Sequence, residues 1–202
     1  SPSGTLAVGD SSTVTWTKTA TITSSALYYE VGGAETLIAT VTDPVAASVA
    51  WTVPAAAVAG TVTLKLKEVT AGHPLGIKTS TAFGVKGALA FSSTPSGVIT
   101  VGDEPTITWT KNGNIPTVNL YYDIGAGDVL ITAGLTGTST VWTVPAAAVD
   151  NAITLKVKDA DATHPLTQVS SASFGVKGTI QVTNPAALLT VGTAETLTWT
   201  KT

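Results

Sequence analysis

The stretch Trp51-Thr52-Val53-Pro54-Ala55-Ala56-Ala57-Val58 recurs unchanged as Trp142-Thr143-Val144-Pro145-Ala146-Ala147-Ala148-Val149, so the two copies lie 91 residues apart. The same separation relates His73-Pro74-Leu75 to His164-Pro165-Leu166. A period above the roughly 20–50 residues of stacked repeat units indicates whole small domains in tandem. The sequence therefore predicts two successive domains with one fold.

The repeat also predicts where the domains begin and end. We expect residues 1–86 to form repeat 1, which lacks its first strand, and residues 87–177 to form repeat 2. Residues 178–202 match the opening strands of an incomplete third repeat. The chain is expected to be a piece of a longer one.

Apolar and polar residues alternate along short segments that Gly-rich turns separate, as in Thr106–Thr110 and Val118–Tyr122. This alternation is typical of strands with one face on a core. Seven or eight such strands in one repeat predict an all-β fold of tandem immunoglobulin-like antiparallel β-sandwiches. In repeat 2 the strands are expected at residues 88–93, 98–101, 105–110, 117–124, 128–132, 139–144, 152–159 and 168–177.

Aromatic residues recur in pairs. Large aromatic side chains dominate the burial of cores, and two tryptophans of each repeat occupy apolar positions of strands, so they are predicted to be core residues. Adjacent residues of a strand face opposite ways, so one tyrosine of each Tyr-Tyr pair should lie on the outer face. An outward tyrosine could stack on a sugar ring. The predicted core tryptophans are Trp16, Trp51, Trp109 and Trp142, and the candidate ligand-face residues are Tyr28, Tyr29, Tyr121 and Tyr122.

Composition excludes several classes of function. The chain has no cysteine, so it offers no disulfide and no thiolate ligand or nucleophile. Its ten basic residues are all lysines, are scattered, and accompany a net charge of −3, which argues against a nucleic-acid partner. No apolar run approaches the roughly 18 residues of a membrane span, so we expect no membrane insertion.

No arrangement of residues predicts catalysis. His73 and His164 occupy the same loop position in different repeats, and no turn resembles a nucleophile elbow or a phosphate-binding loop. We therefore expect no enzyme activity, no cofactor and no metal site. Calcium is the alternative that we considered, because carboxylates are available at Asp123 with Asp128 and at Asp159-Ala160-Asp161.

Repeat 2 carries an ordered set of motifs: Pro95-Ser96-Gly97, Val101-Gly102, Ile107–Thr110, Tyr122-Asp123 with Gly125 and Gly127, Trp142–Pro145, Lys156–Asp159 and Ser173-Phe174. This set resembles tandem immunoglobulin-like repeats of large bacterial surface proteins. Its opening part is also similar to the Ser/Thr-rich domain of fungal cell-wall anchored proteins. The resemblance implies extracellular structural or adhesive modules, and it transfers no catalytic residue.

The last 25 residues predict assembly, because two orphan strands cannot bury an apolar face alone. We expect them to be completed either by a longer chain of the same kind or by strand exchange between copies. The function that we expect is a non-enzymatic structural repeat of an extracellular or cell-surface fibre, stalk or sheath. The alternative is an adhesin module that binds a carbohydrate, such as a cell-surface glycan, or a protein. The expected assembly residues are Ile180, Val182, Leu188, Leu189, Val191, Leu197 and Trp199.

Overall fold

The computed structural model describes residues 2–18, 22–42, 47–184, 191–192 and 194–201. Strands account for nearly all of its regular structure, and each repeat adds one turn of 3-10 helix, at Ala55–Ala57 and Ala146–Ala148. These alanine turns are the repeated sequence that follows each Trp-Thr-Val-Pro. The fold is all-β.

The described part of the first repeat forms eight strands. Five of them make one sheet in the order β1-β8-β6-β3-β4, with β7 paired to β6, while β2 and β5 form a second sheet. The strands are β1 (Thr5–Ala7), β2 (Ser11–Thr15), β3 (Ser25–Val31), β4 (Ala34–Val41), β5 (Ser48–Thr52), β6 (Ala59–Glu68), β7 (Ile77–Thr79) and β8 (Phe83–Lys86).

The second repeat has the same plan and one strand more. The order of its larger sheet is β10-β17-β15-β12-β13, with β16 on β15, and its smaller sheet has the order β14-β11-β9. The strands are β9 (Ala88–Ser93), β10 (Val98–Thr100), β11 (Thr106–Asn112), β12 (Val118–Asp123), β13 (Asp128–Leu135), β14 (Ser139–Val141), β15 (Asp150–Asp159), β16 (Gln168–Ser170) and β17 (Phe174–Lys177).

Two short strands, β18 (Ile180–Val182) and β19 (Trp199–Lys201), follow the second repeat and pair antiparallel. They correspond in sequence to β9 and β11 of the preceding repeat.

All the predicted strands of repeat 2 are present, but the segment predicted at 168–177 is two strands. The reason is Ser171, whose hydroxyl accepts the hydrogen bond from Leu155 N at 2.9 Å and so replaces a backbone acceptor of the ladder.

The described strands of the first repeat pair antiparallel with one exception, and the second repeat contains the equivalent parallel pair. β1 runs parallel to β8, with Leu6 opposite Val85, and β10 runs parallel to β17, with Ile99 opposite Val176. The chain then crosses to the other sheet at a Val-Gly-Asp turn, where Gly9 N donates to Val53 O at 2.9 Å. Each repeat is therefore an immunoglobulin-like sandwich of two sheets, in which the last strand pairs in parallel with β1 in the first repeat and with β10 in the second.

An aromatic trio lies at the centre of each core. Three of the four tryptophans predicted to be core residues, Trp51, Trp109 and Trp142, are buried, whereas Trp16 is half-buried against the core of repeat 1. Trp51 stacks on Tyr29, with ring centroids 6.0 Å apart, and meets Phe83 edge-on at 6.1 Å. The trio of repeat 2 is Tyr122, Trp142 and Phe174, with centroid distances of 5.8 and 6.2 Å.

The described structure divides into two compact units that do not follow the sequence repeat. The first comprises Ser1–Ala90, Lys111–Val118 and Lys158–Gln168, and the second comprises Phe91–Thr110, Asn119–Val157 and Val169–Thr202. Gly87 and Ile115 both belong to the first unit and lie close together, since a Cβ added to Gly87 would lie only 2.6 Å from Ile115 Cδ1. The boundaries expected at residues 86 and 177 remain predictions.

Candidate functional site

The structure separates the two members of each Tyr-Tyr pair. Tyr29 and Tyr122 are buried in the cores, 7% and 5% exposed, so they cannot belong to a ligand face and that prediction is wrong for both. Tyr28 and Tyr121 are half-buried on the opposite side of their strands. The sequence of β12 indicates which tyrosine of the pair is buried, because Tyr122 continues a row of apolar residues at every second position from Val118, and all of them are buried.

On the outer face of the first repeat, lysines of β6 lie against carboxylates of the neighbouring strands. Lys65 is opposite Tyr28 in the β3–β6 ladder, and its ammonium pairs with Glu30 and, at 3.1 Å, with Glu35. Lys67 also pairs with Glu35, and its Nζ lies 4.9 Å from the centroid of the Tyr28 ring. A cation at this distance occupies one face of the aromatic ring.

The outer face of the second repeat carries an equivalent group. Lys156 Nζ lies 2.7 Å from a carboxylate oxygen of Asp123 and 2.7 Å from one of Asp128. Asp123 Oδ1 also accepts hydrogen bonds from the backbone N–H groups of Gly125 and Gly127, at 2.7 and 3.1 Å. The two carboxylates that were considered for calcium therefore share a lysine ammonium as their counter-ion.

These contacts favour the charged forms of both partners. The Lys156 ammonium and then the Gly125 N–H hold the pKa of Asp123 below its ordinary value, and Asp123 and Asp128 raise the pKa of Lys156. In the first repeat, Glu35 has a lowered pKa because of Lys67 and then Lys65. The lysines and carboxylates of these two groups thus compensate one another's charge.

The depressed pKa of Asp123 predicts a pH dependence of stability. A carboxyl group with a lower pKa in the folded state stabilises the fold above its unfolded pKa of about 3.9, and the contribution is lost as the pH falls through the folded pKa. We therefore expect the melting temperature to fall less between about pH 5 and pH 2 in Asp123→Asn than in the parent. Thermal melts followed by circular dichroism measure this, with Glu195→Gln as a control that removes an exposed carboxylate outside the two repeats. Equal acid sensitivity in Asp123→Asn and the parent would contradict the role of Asp123.

The two histidines lie beside carboxylates of their own loops. His164 Nδ1 is 2.8 Å from Asp159 Oδ2, and its Nε2 is 3.5 Å from Asp161 Oδ2. In the first repeat, His73 Nδ1 is 2.5 Å from Glu68 Oε1. The second pair of carboxylates considered for calcium thus faces an imidazole, and the described residues contain no group of His, Asp and Glu side chains arranged to hold a metal ion.

Apart from Gly178 and Asn184, which are half-buried, the described residues of the segment predicted to assemble are exposed. Two of its predicted residues, Leu188 and Leu189, lie outside the described residues. β18 and β19 are joined by backbone pairing and by Thr183 Oγ1 and Thr198 Oγ1, 2.6 Å apart. The exposed apolar residues are Ile180 (78%), Val182 (63%), Val191 (102%), Leu197 (59%) and Trp199 (63%).

Helices that could cross a membrane are absent from the described part of the chain, because none is long and apolar enough.

No family model matches the sequence, and no curated protein matches it either. The resemblance to the fungal cell-wall domain therefore remains without support.

Solved structures with a similar arrangement include the fibronectin(III)-like modules of CbhA from Clostridium thermocellum. They are 18% identical, with a TM-score of 0.34, over 87% of this chain and 90% of that one. A tetra-tandem repeat in the extending region of a large adhesion protein is 15% identical, with a TM-score of 0.36, over 90% of this chain and 52% of that one. Immunoglobulin domains 1–5 of Sidekick-1 are 9% identical, with a TM-score of 0.38, over 90% of this chain and 39% of that one. Likenesses this distant carry no conclusion about function, and the strand pairing of this chain by itself defines the fold.

Proposed function

We propose that this chain is a non-enzymatic structural module of an extracellular fibre, stalk or sheath, in which immunoglobulin-like repeats are joined end to end. Its units are residues 1–86, residues 87–177 and the opening strands at 178–202. The observation that carries the proposal is the exposure of Ile180, Val182 and Trp199 in an isolated pair of strands. A two-stranded pair is marginally stable in water, and unpaired strand edges favour pairing with further chain.

The outer faces of the sheets support a structural role better than ligand binding. A sugar-stacking site needs an aromatic face that is open to the ligand, and Lys67 lies over the ring of Tyr28. The acidic side chains beside it, Glu30 and Glu35, are paired with lysines of the same face. These contacts stabilise the sheet and leave little free charge for a partner.

Removal of the exposed apolar residues of β18 tests the proposal. We expect the parent chain to associate as its concentration rises and Ile180→Thr/Val182→Thr to stay monomeric, because the variant has less apolar surface to bury. Light scattering after size-exclusion chromatography measures the mass, and negative-stain electron microscopy shows whether the associated material is filamentous. The matched control is Val129→Thr/Leu130→Thr, which removes two exposed apolar residues from β13.

Deletion of residues 179–202 tests the role of the whole segment. The deletion should leave two folded repeats with higher solubility, which circular dichroism and solubility measurements would show. If it unfolded the second repeat, the segment would be part of that domain and end-to-end assembly would be wrong. A parent chain that stays monomeric at every concentration would rule out assembly by strand exchange between copies.

A further inference from the structure

We propose that two loops of the second repeat form one docking surface for the first repeat, so that the repeats are joined by a specific contact as well as by the chain. The loops are Lys111–Val118 and Lys158–Gln168, which belong to the same compact unit as the first repeat. The partner that this surface fits is a preceding repeat of this sequence. The inference goes beyond the proposed function, because it concerns a contact within one chain and does not depend on association between copies.

The first loop contacts the first repeat through its backbone and one apolar side chain. Asn114 N donates a hydrogen bond to Ala55 O, in the alanine turn of the first repeat, at 3.0 Å. Ile115 is 4% exposed, and a Cβ added to Gly87 would lie 2.6 Å from Ile115 Cδ1 and 2.8 Å from Asn112 O. The loop therefore satisfies a backbone carbonyl of the first repeat and buries an isoleucine beside Gly87.

The second loop lies against β6 and β8 of the first repeat. A Cβ added to Gly60, in β6, would lie 2.0 Å from Thr163 O, and one added to Gly84, in β8, would lie 2.8 Å from Pro165 Cγ. Both distances are below 3.0 Å, which is closer than real Cβ atoms approach such neighbours. The loop thus comes nearer to these two strands than a residue with a side chain allows.

Space, rather than backbone conformation, requires glycine at these positions. The φ angles of Gly60, Gly84 and Gly87 lie outside the left-handed region, so another residue could adopt the same backbone. At Gly60 the nearest atom is a backbone oxygen, which cannot move aside by rotation of a side chain. Alanine at Gly60 must therefore displace the second loop from the first repeat.

The second loop is held in shape by its own carboxylates. Asp161 Oδ1 accepts hydrogen bonds from Thr163 N at 2.8 Å and from Thr163 Oγ1 at 2.7 Å. On the other side of Thr163, His164 Nδ1 lies 2.8 Å from Asp159 Oδ2. These contacts fix the position of Thr163 O, which is the atom nearest to Gly60. The carboxylates considered for calcium are thus positioning residues of the docking surface.

Hydrogen–deuterium exchange of the Asn114 amide, followed by NMR, measures whether the surface stays docked. The side chain of Asn114 is exposed, so protection of its amide reports the bond to Ala55 O. We expect exchange at least about tenfold faster in Gly60→Ala than in the parent, because an amide exchanges when its local contact opens. The matched control is Gly76→Ala, in the same repeat, where a Cβ would meet only the Glu68 side chain, at an ordinary 3.5 Å. It should leave exchange at Asn114 unchanged.

Two further amides show whether the repeats themselves remain folded. Leu64 N and Leu155 N each donate to a serine hydroxyl of their own repeat at 2.9 Å, and their exchange should match the parent in every variant. Gly87→Ala, which disturbs the first loop, should accelerate exchange at Asn114 as Gly60→Ala does. If only Gly87→Ala did so, the loops would contact the first repeat separately and the single docking surface would be wrong. Parent exchange at Asn114 in both variants would overturn the proposal outright.

Substitution of Asp161 tests the surface from the side of the second repeat. Asp161→Ala should accelerate exchange at Asn114, and Asp161→Asn, which keeps an acceptor oxygen for Thr163, should restore most of the protection. Asp103→Ala is the control, because Asp103 Oδ2 accepts a hydrogen bond from Thr100 N at 2.8 Å in another turn of the same repeat. Equal exchange at Asn114 in Asp161→Ala and Asp103→Ala would contradict the positioning role. Association between copies is measured by mass, so failure here would leave the proposed function standing.

Discussion

Replacing Trp142 with alanine is expected to lower the free energy of unfolding of the second repeat by about 3–5 kcal/mol. The indole is 3% exposed and lies between Tyr122 and Phe174, so its removal leaves a cavity that the two rings cannot close. Domains are stable by only about 5–15 kcal/mol, so this loss is enough to unfold a marginal repeat. Thermal or denaturant unfolding followed by circular dichroism measures it.

The control for this prediction is Trp199→Ala, which removes the same side chain where it is 63% exposed. That variant should melt close to the parent. A Trp142→Ala protein that also melted at nearly the temperature of the parent would show that Trp142 does not hold the core of its repeat.

The second large effect is expected at Gly102, in the turn where the chain crosses between the sheets of the second repeat. Its φ is +90°, and a Cβ added there would meet nothing within 4 Å, so backbone strain would be the main cost of a side chain. A β-branched residue held in the left-handed region costs about 1–3 kcal/mol. We therefore expect Gly102→Val to lower the stability of the repeat by about that amount in urea unfolding.

Gly137→Val is the matched substitution, because Gly137 lies in a loop of the same repeat, a Cβ added there would also meet nothing within 4 Å, and its φ is not positive. It should change stability by only about a few tenths of a kcal/mol, as surface substitutions usually do. If both variants lost the same stability, the cost would come from adding valine to a loop rather than from the conformation of Gly102.

The strands could be predicted from the sequence because their cause is local. Strands such as β11 and β12 alternate between core and solvent, and the glycines at turns such as Gly102 interrupt the pattern. The 91-residue repeat presents the same alternation a second time. The break at Ser171 escaped prediction, because a serine hydroxyl can replace a backbone acceptor only where a partner strand presents the donor.

The outer faces could not be predicted from alternation, because their contacts depend on which strands become neighbours. Lys156 meets Asp123 and Asp128 only because β15 lies next to β12, which is a property of the topology. The difference between Trp16 and Trp109 has the same origin, since their local sequences are alike and only the strand beside them differs. Sequence reasoning thus predicted that strands such as β12 have a core face and an outer face, but not which strands would lie beside them.

The parallel pair in each repeat determines how the repeat would respond to tension. In the first repeat, Gly84 N donates to Gly4 O at 3.1 Å and Val8 N donates to Lys86 O at 3.0 Å, one at each end of the β1–β8 ladder. The chain enters β1 at its first residue and leaves β8 at its last, so stretching the chain drives the two strands past each other in opposite directions. Every hydrogen bond between them then carries load at the same moment, instead of opening in sequence from one end. When the first repeat is pulled, it must therefore break the β1–β8 pairing in a single step before its core is exposed.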